Sequence, residues 1–253
     1  MLQDLFLHIS DESFKVAPYL PESIDLYANQ FDQVQKSELR TAFNLAFRTD
    51  QHYFDWLYSP DNFSRYGERF GRAMMGMSLA VAGNLLDYYD WNQFEPGDKI
   101  VDVGGGVGHI AVLVKKKVKP GVHVVVQDLP AVVKQGRAIP KHNDVVEFQD
   151  HDFFTQQPIV SAQVYYFRYI MHDWPDRICQ TILSHIEKVM TSESKLLIFD
   201  SVWPSGEIWA SGKDDKTIIE NYTWQKRFDL IRNMQMMSLL GTDQIQCLSQ
   251  DLF

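Results

Sequence analysis

The residues with the most chemical potential lie in Val101-Asp102-Val103-Gly104-Gly105-Gly106-Val107-Gly108, which reads as a strand running directly into a helix. At such a junction, absent side chains and exposed backbone N–H groups let a small polar ligand approach closely. A dinucleotide fingerprint asks for glycines at the first, third and sixth positions, and the sixth position from Gly104 is His109. A nicotinamide-dependent oxidoreductase would rest on this loop and Asp128 alone, and it fails at His109. Glycines at 104, 106 and 108 make a tighter loop than that fingerprint. Asp128 follows the second expected strand, where a carboxylate accepts both hydroxyls of a ribose; the plainer alternative is a turn residue before Leu129-Pro130. Asp152-Phe153 follows the third, offering a carboxylate to an adenine amine and a ring to its face, or else a solvated acid and a buried ring.

The elements that must position these groups change character along the chain. From Phe14 to about Trp91 the pattern is helical, with large apolar residues, mostly aromatic, at steps of three and four (Phe43, Phe47, then Phe54, Leu57, Tyr58). From Asp98 short β-rich runs alternate with helix-length segments, which predicts an α/β fold with a parallel sheet covered by helices. The expected strands are Lys99 to Val103, His123 to Gln127, Val145 to Gln149, Gln163 to Arg168 and Lys195 to Ser201. The expected helices are Val107 to Lys117, Ala131 to Arg137, Pro175 to Met190 and Tyr222 to Leu240. The last of these puts Trp224, Phe228 and Ile231 on one face, a spacing that suits packing on the sheet. Pro204 to Lys216 reads as a surface loop.

Composition removes several function classes. The 253 residues carry 24 Lys and Arg against 33 Asp and Glu, a net charge of -9 that repels phosphate backbones, so nucleic acid is not an expected partner. Two cysteines, Cys179 and Cys247, supply neither a disulfide framework nor a zinc site. His142 and His151 lack ligand spacing, and no metal is expected. The apolar stretch Ala73 to Leu86 is shorter than a membrane span, and Met1 to Ser10 has no basic region of the kind that opens a secretory signal, so the expectation is a soluble, cytoplasmic protein.

At Phe167-Arg168-Tyr169-Ile170-Met171-His172-Asp173-Trp174-Pro175-Asp176 the chain closely resembles the plant and fungal small-molecule O-methyltransferases, the caffeic acid O-methyltransferase-like family. The likeness runs from about Asp11 through Thr41-Ala42-Phe43-Asn44-Leu45-Ala46-Phe47 and Arg72-Ala73-Met74-Met75-Gly76-Met77 to about Gly241. It implies a Rossmann-like S-adenosylmethionine-dependent methyltransferase domain at 92–241, preceded by a helical segment at 1–91 that corresponds to the end of a dimerisation domain, and followed by an atypical tail at 242–253. It further implies that Gly104, Gly106, Asp128, Asp152, Phe153 and Arg168 surround S-adenosylmethionine, with Trp174 closing the adenine site. His172 becomes the general base, Asp200 its holder and Asp243 a second acidic catalytic residue, while Met74, Met75 and Met77 lie by the acceptor pocket unless they are plain core. The implied partner is a small, mostly aromatic hydroxylated acceptor. The family is homodimeric, and with most of its dimerisation domain unmatched here the resemblance leaves the oligomeric state open.

Methyl transfer to oxygen needs an in-line nucleophile and a base for its proton. An ordinary imidazole ionises near 6.5 and a phenol near 10, so full prior proton transfer is uphill by roughly 3.5 units, about 4.8 kcal/mol. Proton removal must therefore accompany methyl transfer. The competing expectation is an inactive relative or binding module: the family's closing hairpin has no counterpart at 242–253, which would leave a sheet edge uncovered.

Overall fold

The computed structural model describes residues 2–27, 40–81, 85–200 and 224–241. Helices come first: α1 (Leu2–His8), α2 (Leu20–Tyr27), α3 (Ala42–Phe47), α4 (Tyr53–Leu57) and α5 (Glu68–Val81). α3 opens on a capping box, in which Thr41 and Asn44 exchange side-chain and backbone bonds, and it stops at left-handed Arg48. The α/β part then runs β1 (Lys99–Val103), α6 (His109–Lys115), β2 (His123–Asp128), α7 (Pro130–Arg137), β3 (Glu147–Asp150), β4 (Val164–Arg168), α8 (Asp176–Glu187) and β5 (Lys195–Phe199), before α9 (Trp224–Leu240).

All neighbouring strands are parallel, in the order β3-β2-β1-β4-β5. The chain winds outward from β1 to β3, then returns to place β4 against the other side of β1, so the switch point lies between β1 and β4. In such sheets the ligand crevice opens at the carboxyl ends of the strands on either side of that switch. Period-two alternation builds the two faces: Ile100, Val124, Val126 and Tyr166 pack with Ile110, Val114 and Val133 on one, and Val101, Val103, Tyr165 and Phe167 pack with Ile182 and Ile186 on the other. A third core joins Val16, Phe43, Tyr53 and Leu57 to Leu239 and Leu240 of α9.

The boundaries shift where local hydrogen bonds win. Val145 and Val146 donate to the His142 carbonyl in a turn, so β3 begins at Glu147. Val107 and Gly108 stay in the glycine loop and α6 starts at His109. The expectation for the last helix needs correction, because Ile231 is 66% exposed and the buried residues Ser238, Leu239 and Leu240 lie in the final turn. α9 packs through its C-terminal end on the helical segment, so its apolar positions earlier in the helix need not face the sheet. The side chains of Trp224 and Phe228, the 204–216 loop, Ser201, Asp243 and Cys247 lie outside the described residues. No helix among those described is long and apolar enough to cross a membrane.

Candidate active site

The glycine loop uses its backbone differently from the expectation of free N–H groups. Gly104 N and Gly105 N donate to the Gln127 carbonyl at 2.8 and 3.1 Å, Gly106 N to Asp128 Oδ2 at 2.8 Å, and Gly108 N to the Gly105 carbonyl at 3.1 Å. Four of the five loop N–H groups are therefore committed to the protein. What the glycines supply is conformation and space. Gly106 has φ +61°, and a Cβ built there would touch nothing within 4 Å, whereas one at Gly105 would come within 2.7 Å of the Asp102 carboxylate.

Asp128, at the end of β2, is fixed from two sides, with Leu129 N donating to Oδ1 (2.8 Å) and Gly106 N to Oδ2. Burial raises its pKa to about 6 against these two bonds. Asp152 is exposed, and its Oδ1 accepts from Phe154 N at 3.0 Å. Phe153 next to it is half-buried and meets the buried Trp174 edge-on at 6.1 Å. Trp174 in turn stacks on His52, with ring centres 5.0 Å apart, and touches Phe54 and Phe154. The helical segment thus reaches over the sheet, and Phe54 carries Tyr58 stacked on it at 6.2 Å. Burial, and after it the charges of Asp128 and Asp173, hold the Tyr58 phenol well above its ordinary range.

A second group of polar side chains lies beside the loop. Asp102 points from β1 toward the α6 face, and its buried Oδ2 has no hydrogen-bond partner. Burial raises it to about 7 in spite of the Arg168 guanidinium. Arg168, at the end of β4, donates from Nη1 to Ser78 Oγ on α5 at 2.9 Å and lies against the rings of Tyr169 and Phe199, while its buried Nη2 lacks a partner. Ser78 is one helical turn from Met74, and Met74, Met75 and Met77 are all half-buried on α5.

His172 follows β4 after a left-handed Tyr169, whose ring stacks on the imidazole at 5.5 Å. Nδ1 lies 2.9 Å from Asp200 Oδ1, and the His172 backbone N–H donates to Asp200 Oδ2 at 3.1 Å. Nε2 lies 3.2 Å from Asp173 Oδ1. Burial works against the imidazolium, yet Asp173 and then Asp200 outweigh it and raise the ring to about 10. Asp173 is itself held above its ordinary value by burial. The sequence reading assigned a holder to one imidazole nitrogen and none to the other. Asp173, adjacent in the sequence, was legible as a carboxylate, although its position on Nε2 depends on the 3-10 turn Met171–Asp173. Asp102, Tyr58, His52 and Ser78 were also missed, the last three because they come from the helical segment. Among the described residues, no group of three or more His, Cys, Asp or Glu is arranged to hold a metal ion.

Known proteins with this pattern are numerous. The chain is 38% identical over 208 residues to O-methyltransferase xanE of Aspergillus fumigatus, an alignment covering 81% of this chain and 47% of that protein. It is 35% identical over 203 residues to O-methyltransferase asqN of Emericella nidulans, covering 79% and 67% respectively. It thus spans about half the length of the first relative and about two thirds of the second. Among solved structures, LepI in complex with SAM superposes with a TM-score of 0.70 at 26% identity, covering 99% of this chain and 60% of that one. OxaC in complex with SAH and oxaline reaches a TM-score of 0.74 at 21% identity, covering 99% and 59%, which speaks to the fold alone. The model of the O-methyltransferase domain matches residues 27–223, most of the chain. The chain therefore belongs to the O-methyltransferase domain family.

Proposed function

We propose that this protein is an S-adenosylmethionine-dependent O-methyltransferase acting on a hydroxyl of a small, aromatic metabolite. The observation that carries the reading is the pairing, at the switch point of one sheet, of a cofactor-shaped cradle with an imidazole held by carboxylates. The cradle fits the cofactor: open space over Gly106, a fixed carboxylate at Asp128 for a ribose, rings at Phe153 and Trp174 for adenine, and buried, unpartnered polar atoms of opposite sign at Asp102 and Arg168 for an amino-acid tail. The relatives xanE and asqN are named as O-methyltransferases, and LepI was solved with SAM. When bound, S-adenosylmethionine supplies a methyl group made electrophilic by its sulfonium.

His172 takes the proton of the acceptor hydroxyl, Asp200 keeps Nδ1 oriented, and Met74, Met75 and Met77 lie along the acceptor side. Holding His172 between two carboxylates changes where the energetic cost falls. Its pKa of about 10 matches that of a phenol, so the transfer itself is level. The ring must first lose its own proton, however, and for a phenol ionising near 10 the cost at neutral pH stays at about 4 kcal/mol. The gain is in geometry: Asp200 at Nδ1 fixes the ring, and Asp173 must leave Nε2 for that nitrogen to take the acceptor's proton.

Titration with S-adenosylhomocysteine by calorimetry, followed by methylation assays on a panel of phenols, tests the reading. One micromolar site per chain is expected, and His172→Ala should keep that affinity while turnover disappears. A folded chain that takes up no ligand overturns the proposal. The second reading, a cofactor-binding relative that transfers no methyl group, is favoured by Asp173 standing on the base nitrogen. Ligand binding without turnover on any acceptor would select it.

A further inference from the structure

His109 entered the sequence reading only as the residue that breaks a dinucleotide fingerprint. In the structure it is the first residue after the glycine loop, and both of its ring nitrogens are buried without a hydrogen-bond partner. A neutral imidazole carries one N–H donor and one acceptor, and here both have capacity for a ligand. Burial, with the charges of Arg168 and His142 adding to it, lowers the ring to about 3, so it stands neutral. The chain brings the three to the same loop: Asp102 lies against it, 2.7 Å from where a Cβ on Gly105 would stand, His109 directly follows it, and Arg168 ends β4, the strand paired with β1. His142 is otherwise engaged, with Nδ1 2.9 Å from the Val107 carbonyl.

These side chains have a shared deficit. Asp102 Oδ2 lacks a donor, Arg168 Nη2 lacks an acceptor, and His109 lacks both. A group that satisfies them carries an ammonium and a carboxylate on one carbon, which is the chemistry of an α-amino acid. The loop backbone does not meet the need of the carboxylate, because the N–H groups of Gly104, Gly105, Gly106 and Gly108 already have acceptors. Side chains can supply the donors that these four do not.

We propose that His109 is a cofactor-binding residue, whose ring N–H donates to the carboxylate of the amino-acid tail alongside Arg168, while Asp102 takes the ammonium. This rests on the cofactor reading above. Within it, His109 sets the preference for a ligand with the full tail over one ending at the thioether.

The test compares S-adenosylhomocysteine with 5′-methylthioadenosine, which keeps the adenosine and the sulfur and has no amino-acid tail. The native chain should bind the former more tightly. His109→Leu should weaken S-adenosylhomocysteine by about ten-fold or more and leave methylthioadenosine within two-fold, and His109→Gln, which keeps an N–H donor, should recover part of the difference. Thermal melts confirm that each variant folds. On the native chain, histidine-ring NMR gives a reading that needs no folded variant: the ring that stays neutral down to acid pH should shift with S-adenosylhomocysteine and stay still with methylthioadenosine. Equal weakening of both ligands, an unchanged ratio, or a still ring in both titrations overturns the assignment of His109 and leaves the cofactor reading standing. Failure of the native chain to bind either ligand sinks both.

Discussion

At the scale of single residues, His172 decides how the site responds to pH. Its ring is lifted to about 10 because Asp173 and Asp200 together outweigh the burial that opposes the charge. A general base must be neutral to act, so kcat/KM should climb with pH along an alkaline limb instead of levelling off near 6.5. An acceptor phenol that itself ionises near 10 would give a similar limb, so the profile is best taken with an acceptor whose hydroxyl ionises well below that. Asp173→Asn removes the larger of the two raising influences, and the limb should then move to lower pH by at least about one unit. A limb that stays in place after that substitution would show that Asp173 does not govern the base. Asp200→Asn should shift it the same way and should also loosen the ring, since Asp200 accepts the His172 backbone N–H as well as facing Nδ1.

At the scale of elements, the sheet was legible because its central strands β1, β2 and β4 are short runs rich in β-branched and aromatic residues bounded by turn signals, and a parallel strand buried on both faces needs little more than that. The glycine loop was legible for a similar reason, since a break in side-chain volume after such a run has few other uses. Contacts between distant segments were not. Arg168 meets Ser78 across 90 positions, and His52 stacks on Trp174 from the N-cap of a helix whose own periodicity says only that one face is apolar. Ile231 misled because spacing identifies a shared face without saying whether that face is covered, and α9 buries its last turn instead. The seat of α7 on the sheet supplies an element-level prediction. A Cβ at Gly136 would lie 2.5 Å from Phe148 Cε1 and 3.2 Å from the backbone Cα of Val107, so the aromatic ring cannot swing away freely. Gly136→Ala should cost about 1–3 kcal/mol by overpacking, despite the better helix propensity of alanine. Chemical denaturation measures it, and a stabilised variant would mean that α7 rides up without penalty.

At the scale of the whole molecule, two sets of buried charge push stability in opposite directions with pH. The helical segment is tied together by Glu12, which accepts from Tyr53 (2.7 Å) and Arg69 (2.6 Å) and pairs with His8, while Gln235 of α9 donates to Ser13 close by. Burial alone would raise Glu12, but His8, Tyr53 and Arg69 outweigh it and hold the carboxyl below 4.5. A depressed carboxylate contributes stability above its unfolded pKa and loses that contribution as pH falls through its folded value, so this tie fails in acid. Asp102 and Asp128 behave in the reverse sense. Burial raises them to about 7 and about 6, so the folded chain takes up protons there before the unfolded chain does and gains stability as pH falls through that range. Tm of the ligand-free chain should therefore rise from pH 8 toward 5 and fall again below about 4.5. Asp102→Asn should flatten the upper arm, and Glu12→Gln the lower one. On the proposed cofactor placement, S-adenosylhomocysteine gives Asp102 an ammonium and Asp128 two hydroxyls, both of which favour the ionised forms, so saturating ligand should move the maximum toward neutral pH. The same pH series with methylthioadenosine should flatten only the part belonging to Asp128, because that ligand has a ribose and no ammonium. A maximum that stays at the same pH with either ligand would mean that these two carboxylates do not face the cofactor.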